Sequence, residues 1–173
     1  MLSRNRYALK EWDGLCSRLG RGEEILLLRK GGLLDRREGF PLEHREFFLF
    51  PTRFHEAGEA PPARVELSLY ANVEADVRVN DLERLRALAG RQSVPWEDVE
   101  RRFRYGNEPG LHVLALRAWR LARPETVENA GAYAGCRSWV ELDRERPVET
   151  EKPALDEAEF ARRWAEVKAI LDG

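Results

Sequence analysis

The sequence predicts an α+β protein: a mainly antiparallel curved sheet or small partly open barrel, flanked by helices and finished by a C-terminal amphipathic helix. Three observations carry this reading. From Val65 to Val79 every odd position is apolar, with Glu66, Ser68, Tyr70, Asn72, Glu74, Asp76 and Arg78 between them, which is the period of a strand with one face in water. Ile25 to Leu28 is a short unbroken apolar run, as in a strand buried on both faces. Near the end, Phe160, Trp164, Val167 and Leu171 recur at helical spacing,.

Leu9, Trp12, Leu15, Cys16 and Leu19 step by three and four, which predicts a helix over residues 8–19 ended by Gly20 and Gly22. The strand at Ile25 to Leu28 closes at Gly31 and Gly32, and Leu33 to Arg45 reads as a charged loop. Phe47 to Phe50 is a second apolar strand, stopped by Pro51, which cannot donate to a ladder. The alternating run 65–79 is long for one strand, so a bend near Ala71 and Asn72 or a curved barrel strand is expected. Asn80 with Glu83 forms a capping-box pattern ahead of Leu82, Leu85 and Leu88, and Gly90 ends that helix. Pro95 opens another, with Trp96, Val99 and Phe103 inward, Glu97 and Asp98 early, and Arg101, Arg102 and Arg104 late, an order that complements the helix dipole. Residues 111–121 read as a central strand and Arg137 to Leu142 as the last one.

One domain over residues 1–142 is therefore expected, followed by an exposed linker at 143–154 with Pro147 and Pro153. Residues 155–173 form the final helix, capped by Asp156 with Glu159. That helix docks on the core or on a partner chain, and in the second case it makes a homodimer. A chain of 173 residues suits a single core burying about 70% of its unfolded surface.

The net charge of −2 gives no overall pull toward nucleic acid or an anionic membrane, so such binding needs a local patch. No apolar run approaches the ~20 residues that cross a bilayer, and residues 1–12 mix charged and apolar side chains unlike a signal peptide. A cytoplasmic location is the expectation. Cys16 and Cys136 are far apart and form neither a metal spacing nor a disulfide framework, so both read as buried thiols.

Lys10-Glu11-Trp12, Ile25 to Gly32 (ILLLRKGG), Phe48 to His55 (FLFPTRFH) and Gly135-Cys136-Arg137-Ser138-Trp139 together resemble a bacterial family, domain of unknown function 1802. The likeness spans about residues 7–142 and carries no assigned activity. Some members are associated with a restriction-endonuclease-like domain, so the resemblance implies a link to restriction and modification; a single core of this size has no room for that domain.

Three constellations could carry chemistry. Arg29-Lys30-Gly31-Gly32 brings two cations out of a buried strand, with glycines that let amides face an anion, although a tight Gly-Gly turn is the simpler reading and the spacing of a Walker loop is absent. Phe50 to His55 places the Thr52 hydroxyl, the Arg53 guanidinium and the His55 imidazole just after a strand. Thr52 is a natural cap there, and His55 is the best acid, base or ligand candidate, ahead of His44 and His112. Arg137, Ser138 and Trp139 offer a guanidinium, a hydroxyl and a stacking surface. No acidic-x-Lys pair falls on a strand, Glu11 to Asp13 read as helical, and no metal or cofactor motif occurs, so neither metal nor cofactor is expected.

The leading expectation is a non-catalytic binding module that grips an anionic ligand or nucleic acid through Lys10, Arg29, Lys30, Arg53, His55 and Arg137. An enzyme acting on a phosphorylated substrate, with His55 paired to Glu11 or Glu56, is the second. A structural homo-oligomer is the third.

Of the 29 basic residues only four are lysine, and the chain has one glutamine and one methionine. Scarce thermolabile side chains with abundant Arg and Glu fit a thermophilic source. The protein is expected to unfold above roughly 70 °C in a calorimetric scan; an ordinary mesophilic midpoint would refute this.

Overall fold

The architecture rests on two long strands that pair along nearly their whole length. A computed structural model describes residues 1–30, 40–52, 62–106, 108–129, 131–133 and 137–173. In chain order the elements are β1 (Arg4–Trp12), α1 (Asp13–Gly20), β2 (Leu26–Arg29), β3 (Glu46–Thr52), β4 (Arg64–Val79), α2 (Leu82–Ala87), α3 (Trp96–Arg104), β5 (Leu111–Glu128), a 3-10 turn at Gly131–Tyr133, β6 (Trp139–Pro147), β7 (Thr150–Pro153) and α4 (Glu157–Asp172). Among the described residues the seven strands form one open sheet of order β2-β5-β4-β3-β1-β6, with β7 added to β5. Every pairing is antiparallel except β1 with β3. The α+β class with a C-terminal helix is thus the one the sequence predicts.

β4 keeps its sequence alternation but not its facing. Its register against β5 slips between Leu67 and Leu69 and again between Val73 and Ala75, and each slip turns the following side chains to the other surface. Val65 and Leu67 therefore pack with Phe48, Tyr70 and Val140. Leu69, Ala71 and Val73 pack with Leu9, Leu27 and Leu116. Val79 joins Leu26, Leu28 and Val113, with Ala75 and Val77 against them. One alternating run thus feeds three apolar clusters, and the expected bend becomes two irregularities flanking Ala71. Tyr70, at an even position, is fully buried; its hydroxyl donates to Glu46 Oε2 at 3.2 Å and accepts from Asn5 Nδ2 at 2.9 Å. Burial holds its pKa far above the ordinary tyrosine value,.

The sheet is curled, because side chains from its separated regions meet. Arg29 of β2 bonds Glu11 of β1 at 2.9 Å, although β5, β4 and β3 lie between those strands in the pairing order. Leu9, Leu27, Leu49, Ala71 and Leu114 line one shared surface, where Leu15, Cys16 and Leu19 of α1 fill the space. On the opposite surface Leu85 of α2, Val99 and Phe103 of α3, and Phe160, Val167 and Leu171 of α4 cover Leu26, Leu28, Val113 and Ala115.

Several local expectations are corrected. Residues 8–12 belong to β1 and not to a helix: pairing with Phe48 to Thr52 outweighs the three-four spacing, and the helix begins only at Asp13. Glu11 and Trp12 are consequently strand residues. The cap of α2 is Asp81, whose carboxylate accepts from the amides of Glu83 and Arg84, one residue beyond Asn80. Asp143 to Pro153 carries the end of β6 and all of β7, which pairs with β5 through Trp119↔Pro153 and Leu121↔Thr150; both prolines sit at strand ends, where the missing N–H is tolerated. The final helix, capped by Asp156, lays its apolar side on the core of its own chain. Cys16 is buried, and Cys136 lies outside the described residues. No described helix is long and apolar enough to cross a membrane.

Phe160 is 4% exposed beneath α4, so Phe160→Ala is expected to lower stability by about 3–5 kcal/mol in urea unfolding. A loss below about 1 kcal/mol would mean that the helix contributes little to the core.

Candidate functional site

The gap between β1 and β2 gathers charge and aromatic rings. Glu11 is 4% exposed, and both of its oxygens are engaged: Oε1 accepts from the Trp12 amide at 2.9 Å and Oε2 from Arg29 Nη1 at 2.9 Å. Arg29 Nη1 also donates to the Lys10 carbonyl at 3.2 Å. A buried carboxylate demands such partners, since leaving it unpaired costs several kcal/mol. The guanidinium of Arg29 lies over the Phe40 ring at 5.2 Å, and that of Arg102 over Trp12 at 4.5 Å. Arg29 Nε is buried with no hydrogen-bond partner among the described residues.

Phe40, 3% exposed, ties the region together. It stacks on Trp139 at 5.9 Å and meets His112 edge-on at 6.1 Å. His112 Nδ1 is 2.8 Å from Asp76. Trp139 donates its indole N–H to the Pro41 carbonyl and touches His44 at 5.2 Å, which stacks on Tyr7 at 3.6 Å. Burial pulls the His44 pKa below its usual value, with Glu43 and Glu141 opposing, so the ring is held toward its neutral form. The result is a series from Arg29 through Phe40, Trp139 and His44 to Tyr7, with the Arg102–Trp12 pair on the other side of Glu11.

Electrostatically, one buried carboxylate stands against two cations. Burial lowers the pKa of Arg102, Glu11 opposes that shift, and Arg29 adds to it. An anion placed beside the two guanidiniums would offset this repulsion, and ring faces nearby suit a planar ligand.

The predicted site residues separate into groups. Arg29 and Trp139 meet through Phe40, with Thr52 close behind, its hydroxyl donating to the Glu11 carbonyl at 3.3 Å. Lys10 leaves β1 on the side opposite Glu11, as neighbours on a strand must, and its ammonium donates to the Tyr133 carbonyl. Lys30 turns to the α3–β5 connection and donates to the carbonyls of Phe103, Glu108 and Gly110. Burial lowers its pKa, and Arg78 adds to that. Ser138 is 2% exposed and its carbonyl accepts from the Lys10 amide, whereas Arg137 is exposed. Gly31, Gly32, Arg53, His55 and Glu56 lie outside the described residues. With both carboxylate oxygens held, Glu11 is placed as an anchor for Arg29 and poorly as an acid/base partner. No group of three or more metal-ligating side chains occurs among the described residues.

Arg102, Phe40 and the Asp76–His112 pair were not singled out from sequence. Arg102 was detectable, because it follows Val99 by three and so flanks the buried stripe of its helix. Phe40 gave only one faint signal, a lone aromatic in a charged stretch.

The domain of unknown function DUF1802 matches residues 8–166, and the chain belongs to that family. No curated protein matches it significantly. In fold it is similar to the ASCH protein of Zymomonas mobilis. A serine-to-alanine mutant of that protein superposes with a TM-score of 0.51 at 13% identity, over 96% of this chain and 99% of that one. The unaltered ASCH protein gives 0.49 at 14% identity over 92% and 93%. The first of these likenesses supports the α+β fold.

Removing Phe40 should loosen the whole series. Phe40→Ala is expected to cost about 3–5 kcal/mol and to shift tryptophan emission to the red as Trp139 gains water. Unchanged emission and stability would show that Phe40 does not organise the gap.

Proposed function

We propose that this DUF1802-family protein is a non-catalytic binding module for an anionic ligand with stackable rings, a nucleotide or single-stranded nucleic acid. The observation that carries the reading is the pair Arg29 and Arg102 around the single buried carboxylate of Glu11, each guanidinium lying over an aromatic ring. Guanidinium groups recognise phosphate, and ring faces hold bases without regard to sequence. The family match and the ASCH-like fold are compatible with a binding module. In this reading Arg102 and Arg137 reach the ligand, and Arg29 and Glu11 hold the surface in place. Lys10 and Lys30, committed to carbonyls, serve the scaffold.

Fluorescence titration with short single-stranded RNA and DNA tests this. Binding tighter than about 100 µM, weakening as salt rises, is expected, and Arg137→Ala should reduce the slope against log salt by about one. Arg102→Gln should weaken binding about tenfold or more through lost charge and stacking. Absence of salt-sensitive binding at about 100 µM would overturn the reading.

A further inference from the structure

A second recess lies beside the cationic gap, at the end of α1, with Cys16 of its wall donating to the Glu11 carbonyl at 3.9 Å. It encloses about 480 Å³, within the range of small-molecule sites. Its apolar lining includes Leu49 of β3, Leu69 of β4 and Leu121 of β5, and its charged lining includes Arg120 of β5 and Glu151 of β7.

The recess is built by identifiable contacts. Gly20 ends α1 directly against Leu69; a Cβ there would stand 2.9 Å from Leu69 Cδ2, so a larger residue would require the Leu69 side chain to shift. Arg120 Nε donates to the Gly20 carbonyl at 3.0 Å, which fixes the guanidinium at the helix end. Its terminal nitrogens make no hydrogen bond among the described residues, and Glu151 makes none either. Arg21, also on the wall, is committed to Glu23 at 2.6 and 3.2 Å, and Asp13 adds a second carboxylate.

We propose that this recess is a binding site for a small zwitterion with an apolar side chain, of the class of free amino acids and dipeptides. Arginine and carboxylate charges balance along its wall, unlike the two guanidiniums that share one buried carboxylate in the β1–β2 gap, so a polyanion gains nothing here. A ligand carboxylate takes the open fork of Arg120, its ammonium takes Glu151, and its side chain covers Leu49, Leu69 and Leu121.

Calorimetric titration of the full chain with L-leucyl-L-leucine tests the proposal. A Kd of about 1 mM or tighter is expected, weakened about tenfold or more by Arg120→Gln, by Glu151→Gln, by N-acetylation or by C-terminal amidation of the dipeptide. Amidation should add little to the loss already caused by Arg120→Gln, because both remove the same contact. Glu151 is exposed, so Glu151→Gln and the two blocked dipeptides suffice should Arg120→Gln fail to fold. No binding at about 10 mM, or affinity indifferent to blocking either end, would overturn the proposal. Nucleic-acid binding unchanged in Glu151→Gln is expected, which keeps the two sites' tests separate.

Discussion

One buried ion pair holds together parts of the sheet that no ladder joins. Glu11 and Arg29 are 4% and 14% exposed and lie on strands separated by three others. A sheet of this size with native twist curls on itself, but its open sides need something other than backbone bonds to meet. The pair supplies that contact; Arg29 also donates to the Lys10 carbonyl, and Glu11 also accepts from the Trp12 amide. Such a pair is weak as a source of net stability and strong as a specifier, because each partner alone would be a buried uncompensated charge.

The candidate site follows from this constraint. With Glu11 spent on Arg29, the second guanidinium, Arg102, remains near the same carboxylate and rests on Trp12. Two guanidiniums thus share one buried carboxylate, although the chain as a whole is slightly acidic. Phe40 closes the space between Arg29, His112 and Trp139. The recess beneath Arg120, formed by different strands, has balanced charge and an apolar floor. Two surfaces of different electrostatic character on one sheet suit two kinds of ligand.

Much of the fold was legible because apolar periodicity reports burial directly. The alternation from Val65 to Val79 marked β4, and the Leu-rich run marked β2 as a strand buried on both faces, with Leu26 and Leu28 in one cluster and Leu27 in another. Periodicity failed where two patterns coincide. Leu9, Trp12, Leu15 and Leu19 satisfy helical spacing, yet Ala8 and Leu9 are both fully buried, on a strand flanked by β3 and β6. Nor could local pattern reveal the two register slips in β4, which depend on the partner strand. For the site, the types of residue were readable and their directions were not. Lys10 and Glu11 are adjacent in sequence and leave opposite faces, while Arg29 and Arg102, far apart in the chain, approach the same carboxylate.

A double-mutant cycle on Glu11 and Arg29, using Glu11→Gln, Arg29→Met and the double variant in urea unfolding, tests the joining pair most directly. The account predicts that each single change is costly and that the double variant recovers at least about 1 kcal/mol relative to their sum. Additive losses, within about 0.5 kcal/mol, would mean that β1 and β2 are held near each other by something else.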